Sequence, residues 1–186
     1  MYKKYIEVIR PLLTTKRFIH SIRVSEAAGI LAEKYGGNKE KAEIAGILHD
    51  IMKDTDYDEQ LKIMTEFGIM LSGVERFTPK LWHQISGATY VQYKLGINDQ
   101  EILDAIRYHT SGRGNMAILE KIVFVADFIS DDRDYPGVEQ MREYAENNLE
   151  KAILEGTSFV ICELAKKHKP IINDALDAYN QAIRGT

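Results

Sequence analysis

Residues 45–54 read AGILHDIMKD, and how this stretch is read decides the rest of the chain. Ala42, Ala45, Gly46 and His49 recur at i, i+3, i+4 and i+7, one face of a helix, so the histidine points inward. Asp50 follows directly in apolar company, and Lys53 lies three residues further on. Asn38 offers the cap of this helix, and its small residues let a neighbouring backbone come close. A buried carboxylate or imidazolium without a partner is costly unless it becomes neutral, so His49 and Asp50 together demand an explanation.

The same inward placement recurs on either side. Towards the N-terminus a short helix is expected over 4–13 and a second from Thr15 to Tyr35, ending at Gly36-Gly37; His20, Val24, Ala27, Ala28 and Leu31 share one face of the second. Towards the C-terminus the polar segment KDTDYDEQ leads into a helix that stops near Gly68, and 68–77 reads as a connecting loop. Thr78-Pro79 then offers an N-cap followed by proline at the first helical position, opening a helix with His83, Ser86, Gly87 and Tyr90 on one face. Asn98 and Glu101 have capping-box spacing before a helix that aligns Ile102, Ala105, Ile106 and His109. MAILEKIVFVADFIS, residues 116–130, is rich in β-branched residues, but its length and flanking caps favour a buried helix carrying Asp127. Two or three amphipathic helices complete an all-α reading, with one domain over 1–186.

Composition narrows the classes of function. Of 186 residues, 45% are hydrophobic and 28% charged, the balance of a globular chain. A net charge of −4 argues against the broad basic surface that nucleic-acid binding uses. The longest apolar stretch is interrupted by Asp127, and Glu7 and Arg10 break the N-terminal one, so no membrane partner and a cytoplasmic location are expected. The single cysteine, Cys162, excludes an internal disulfide and reads as a buried apolar filler.

Four of the five histidines thus face inward, with Asp50 and Asp127 in apolar surroundings. One inward histidine is more often a hydrogen-bonded core residue than a ligand. The ordered series His20, His49-Asp50, His83, His109, Asp127 is a different matter, because neutral imidazoles and ionised carboxylates together suit Fe, Mn, Zn or Co.

This order, H…HD…H…H…D, resembles the HD-domain metal-dependent phosphohydrolases, and within them the bacterial YqeK-like symmetrical bis(5'-nucleosyl)-tetraphosphatases. KRFIHSIRVSEAA, AGILHDIMKD, WHQISGA, AIRYHTSGR and KIVFVADFI carry the resemblance. It implies an all-α helical bundle with a metal site in its centre and symmetrical cleavage of diadenosine tetraphosphate to two ADP by a metal-bound hydroxide. It implies His20, His49, Asp50 and Asp127 as ligands of one iron, with Mn, Co or Zn as substitutes. His83 and His109 would hold a second ion bridged by Asp50, or touch phosphate directly. Catalysis would fall to Asp50, Lys53, His83 and His109. Arg23 and Lys53 would face the substrate phosphates, with His20, Asp54, His83, His109 and Asp127 also in reach of substrate. Thr110 and Arg133 would add nucleotide contacts, and Ile172 and Asn173 would belong to a segment wrapping the nucleoside. The partner implied is a small nucleotide, with a homodimer as the assembly. Where the family typically has an acidic-Pro pair before the arginine, this chain reads ISDDRDYPG, with Ser130, Asp131 and Asp132. Three other readings stay open on the sequence: an HD phosphohydrolase acting on a dNTP, guanosine tetraphosphate or a cyclic dinucleotide; a nucleotide-binding regulator without turnover; and a purely structural helical protein, for which the inward series would be coincidence.

Overall fold

A computed structural model describes residues 3–185. Its elements are α1 (Lys3–Ile9), α2 (Thr15–Tyr35), α3 (Lys39–Leu48), α4 (Tyr57–Glu66), α5 (Gly73–Arg76), a 3-10 turn (Pro79–Leu81), α6 (Trp82–Tyr93), α7 (Gln100–Arg107), α8 (Ile118–Ile129), α9 (Val138–Asn147), α10 (Leu149–Lys166) and α11 (Asn173–Gly185), with no strand among the described residues. No helix there is long and apolar enough to cross a membrane.

α8 is the axis of the fold. Ile122 to Ala126 are fully buried because α2, α3, α7, α9 and α10 all pack around them. Tertiary burial overrides the weak helix preference of its β-branched residues. The long α2 starts at Thr14, whose side chain caps the Arg17 N–H, and closes at Gly36 in the left-handed region (φ 74°). Asn38 then caps α3 by accepting from the Lys41 N–H at 3.0 Å. α2 and α3 cross at near backbone contact: a Cβ on Gly46 would lie 2.8 Å from Ser25 Cα. The Ser25 hydroxyl reinforces the crossing by donating to the Glu43 carbonyl at 2.8 Å.

Several expectations are corrected. α1 stops at Ile9, and Pro11 falls within the turn that follows it. The segment 68–77 is not all loop, because Ser72 and Glu75 form a capping box that starts α5. Thr78 makes no cap; its hydroxyl donates back to the Val74 carbonyl. The cap of α7 is Asp99 and not Asn98, since the Asp99 carboxylate accepts from the N–H groups of Glu101 and Ile102. His49-Asp50 and His109 lie in turns just past the ends of α3 and α7, not within helices. Cys162 is exposed on α10, because Leu149, Ala152, Ile153, Gly156 and Thr157 turn the other face inward.

Candidate metal centre

Three of the four inward imidazoles are oriented alike. The Nδ1–H groups of His49, His83 and His109 donate to the carbonyls of Gly46, Lys80 and Ile106, at 2.7, 2.8 and 2.8 Å. A carbonyl can only accept, so Nδ1 carries the proton and the Nε2 lone pair is left for the interior. His20 reaches the same place from the middle of α2, with Nδ1 at 2.9 Å from Asp132 Oδ2 and Nε2 at 2.9 Å from Asp127 Oδ1.

Asp50 stands between two halves of this cluster. Its Oδ2 faces His49 Nε2 at 3.4 Å, and its Oδ1 faces the Nε2 atoms of both His83 and His109 at 3.4 Å. His49 Nε2 also lies 3.9 Å from Asp127 Oδ1. His83 and His109 bring their Nε2 atoms to 3.3 Å from each other. Two lone pairs at that separation repel unless a cation lies near both. His49 Nε2 and Asp50 Oδ1 are buried without any hydrogen-bond partner. Three overlapping sets, His20-His49-Asp50, His49-His109-Asp127 and Asp50-His83-His109, each hold their ligand atoms within 4.8 Å of one another. Orphaned donors, nitrogen and carboxylate chemistry and this convergence fit a divalent metal ion.

The electrostatics agree with that chemistry. Burial alone would raise the Asp50 carboxyl, but His49, His109 and Lys53 outweigh it and hold Asp50 well below the usual carboxylate range. Asp127 is likewise held well below, with His20, Arg133 and His49 overcoming its burial. His83 is pushed well down by burial and then by Lys53, and His109 is lowered chiefly by burial. Ionised carboxylates beside neutral imidazoles are the protonation states that bind a metal.

Cations rim the cluster. Lys53 Nζ lies 3.0 Å from His83 Nε2 and 3.8 Å from Asp50 Oδ1. The Arg133 guanidinium pairs with Asp127 and comes within 3.4 Å of His20 Nε2. Thr110 places its hydroxyl 3.2 Å from His83 Nε2, while its N–H donates to the Gln84 side chain. The sequence reading missed Arg17, whose Nη1 donates to Asp50 Oδ2 at 2.7 Å. The available signal was its position one helical turn before His20. It also missed Asp132 as the partner of His20, a contact that joins residues 112 apart in the chain.

Other candidate residues lie elsewhere. Arg23 is exposed and paired with Glu26 at 2.8 Å. Asp54 is in none of the ligand sets and accepts from the Thr14 N–H and hydroxyl, both at 2.8 Å, tying the turn after Asp50 to the start of α2. Ile172 is buried and Asn173 exposed where α11 begins; neither is among the side chains converging on Asp50. Beside the His109 turn an open cleft of about 760 Å³ is lined by Tyr108, Arg113 and Asn115 on one side and Asp174, Asp177 and Arg184 of α11 on the other.

Comparison with known proteins follows the same line. The HD domain matches residues 17–132, which contain every side chain of the cluster. The chain is 41% identical over 180 residues to the symmetrical bis(5'-nucleosyl)-tetraphosphatase of Halalkalibacterium halodurans, covering 97% of this chain and 96% of the relative. It is 39% identical over 178 residues to the protein of the same name from Bacillus subtilis, covering 96% and 95%. A crystal structure from Clostridium acetobutylicum, described as a predicted HD superfamily hydrolase involved in NAD metabolism, superposes with a TM-score of 0.95 at 33% identity, over 100% of this chain and 98% of that one. With its histidines and aspartates gathered in the matched region, the chain belongs to the HD-domain family and groups there with the symmetrical bis(5'-nucleosyl)-tetraphosphatases.

Proposed function

We propose that this protein is a metal-dependent hydrolase that cleaves diadenosine tetraphosphate and related dinucleoside tetraphosphates symmetrically, releasing two ADP. The observation that carries the reading is Asp50, whose two oxygens face separate groups of histidine Nε2 atoms inside a rim of Arg17, Lys53 and Arg133. The names of the relatives from Halalkalibacterium halodurans and Bacillus subtilis support the substrate class. We read the chain as one HD domain, working in the cytoplasm as a homodimer.

His20, His49, Asp50 and Asp127 would hold the first ion, which we take to be iron, and His83 and His109 with Asp50 a second. When bound, such ions lower the pKa of water and neutralise charge on the attacked phosphoryl group. The rest of the work falls to side chains. Phosphoryl transfer asks mainly for positioning and charge neutralisation. Arg17 and Arg133 each offer a planar fork to phosphate oxygens, and Lys53 offers a compact charge beside His83. Lys53 Nζ would carry the proton that the departing ADP oxygen needs, and the Thr110 hydroxyl would orient the bridging oxygen. Asp50, buried among them, is little screened by bulk water.

The test is product analysis after incubation of the iron-loaded protein with diadenosine tetraphosphate. ADP alone is expected, and His49→Ala and Asp50→Ala proteins that fold by circular dichroism should lose turnover. ATP plus AMP would place attack at a different phosphorus. No turnover, together with cleavage of a dNTP or guanosine tetraphosphate, would replace the substrate.

A further inference from the structure

His20 differs from the other three imidazoles in how it is held. His49 and His109 follow helix ends and His83 follows the 3-10 turn, so each finds a backbone carbonyl three residues earlier for its Nδ1–H. His20 lies inside α2, where the carbonyls of the preceding turn are taken up by the helix ladder. Its Nδ1 meets a carboxylate instead, Asp132 Oδ2 at 2.9 Å, while its Nε2 is aimed at Asp127 and Arg133.

Asp132 stands on a braced loop. Arg142 of α9 donates from Nε to the Ile129 carbonyl at 3.1 Å, and from Nη2 to the carbonyls of Ser130 and Arg133 at 3.0 and 3.1 Å. The Arg133 N–H closes the turn on the Ser130 carbonyl at 2.9 Å, and the Tyr135 hydroxyl donates to the Phe128 carbonyl. Fixing the loop fixes the carboxylate.

We infer that Asp132 is the positioning residue of His20: it accepts the Nδ1 proton, presents Nε2 to the metal as a lone pair, and makes this the one imidazole of the centre held by an anion. The inference rests on the metal reading above. An outer carboxylate both sets the tautomer and raises the basicity of a ligand imidazole, so its effect is read as metal affinity. Arg142, through the loop, supports the same geometry.

The experiment is isothermal titration calorimetry of the chelator-stripped full chain with Mn²⁺, for the parent and for D132A, D132N and H49A, alongside the melting temperature of each stripped protein. D132A is expected to weaken Mn²⁺ binding by about 10- to 100-fold with little change in the stripped melting temperature. D132N, isosteric but with a neutral acceptor, keeps the hydrogen bond and loses the charge, so it is expected to recover only part of that loss, whereas a simple loop tether would be restored in full. Should D132A fail to fold, D132N decides, with an expected weakening of about threefold or more. Parent-like affinity in the deciding variant, with binding weakened in H49A, overturns the role of Asp132 and leaves the metal centre standing. Parent-like affinity in H49A as well removes the metal reading and the inference together.

Discussion

Asp50 does most at the residue scale because its two oxygens have different neighbours. Oδ1 faces His83, His109 and Lys53, while Oδ2 faces His49 and accepts from Arg17. Arg17 is therefore poised between two roles, neutralising Asp50 and gripping a phosphate. Its side chain is 27% exposed, enough to meet a ligand from outside while holding the buried carboxylate. Arg17→Ala is expected to lower kcat by about 10²- to 10³-fold, the effect of removing one preorganised donor from a site of charge development. Arg17→Lys should recover only part, because a point charge cannot replace the bidentate fork. Steady-state kinetics with diadenosine tetraphosphate check this, and an unchanged kcat in Arg17→Ala would leave Arg17 as a structural partner of Asp50 alone.

At the scale of elements, the His49 and His109 side of the centre is built from helix ends. The last carbonyls of a helix have no partner within it, and His49 and His109, just past α3 and α7, use Gly46 and Ile106 carbonyls of those last turns to set their rings. The position of α3 depends in turn on Gly46, which lets the α2 backbone pass within the space of a side chain. Gly46→Ala should destabilise the fold by about 1–3 kcal/mol, the usual cost of overpacking, because the added methyl meets main-chain atoms of Val24 and Ser25 that cannot swing away. The gain in helix propensity, about 1 kcal/mol, works against this and sets its lower edge. Urea denaturation measures the difference, and a midpoint at or above the parent would mean that the α2–α3 crossing yields more easily than its geometry suggests.

For the whole molecule the cluster is an electrostatic debt in the core that a metal relieves. Chelator-stripped protein should lose stability on acidification in two stages. His83 and His109 are lowered from an ordinary value of 6.5, so the unfolded chain takes up protons first; stability present above about pH 6.5 is lost as pH falls towards their folded values, by up to about 1.4 kcal/mol per pH unit for each group. Asp50 and Asp127 are lowered from 3.8, so their contribution is present above that value and is lost only as pH falls further, through their folded values. Denaturant midpoints at pH 7.5 and pH 5.5 test the first stage, and equal midpoints would contradict it.

Periodicity and residue type in the sequence determined the all-helical fold, the span of α2, the Asn38 cap and the six histidines and aspartates that the structure gathers. These are local properties: a helical face needs only its own spacing, and a buried charge betrays itself by its apolar neighbours. Shifts of one residue in a cap, or the helix hidden in 73–76, depended on which side chain reached a given N–H, which local pattern does not resolve. Only the tertiary structure decided that Asp50 faces two ways, that Arg23 turns out to Glu26 while Arg17 turns in to Asp50, and that Asp132 holds His20. These contacts join α2 to segments 33 and 112 residues away, and their partners are chosen by how the helices pack. A charge on a helix surface carries no mark of the neighbour it will meet until that neighbour is folded against it.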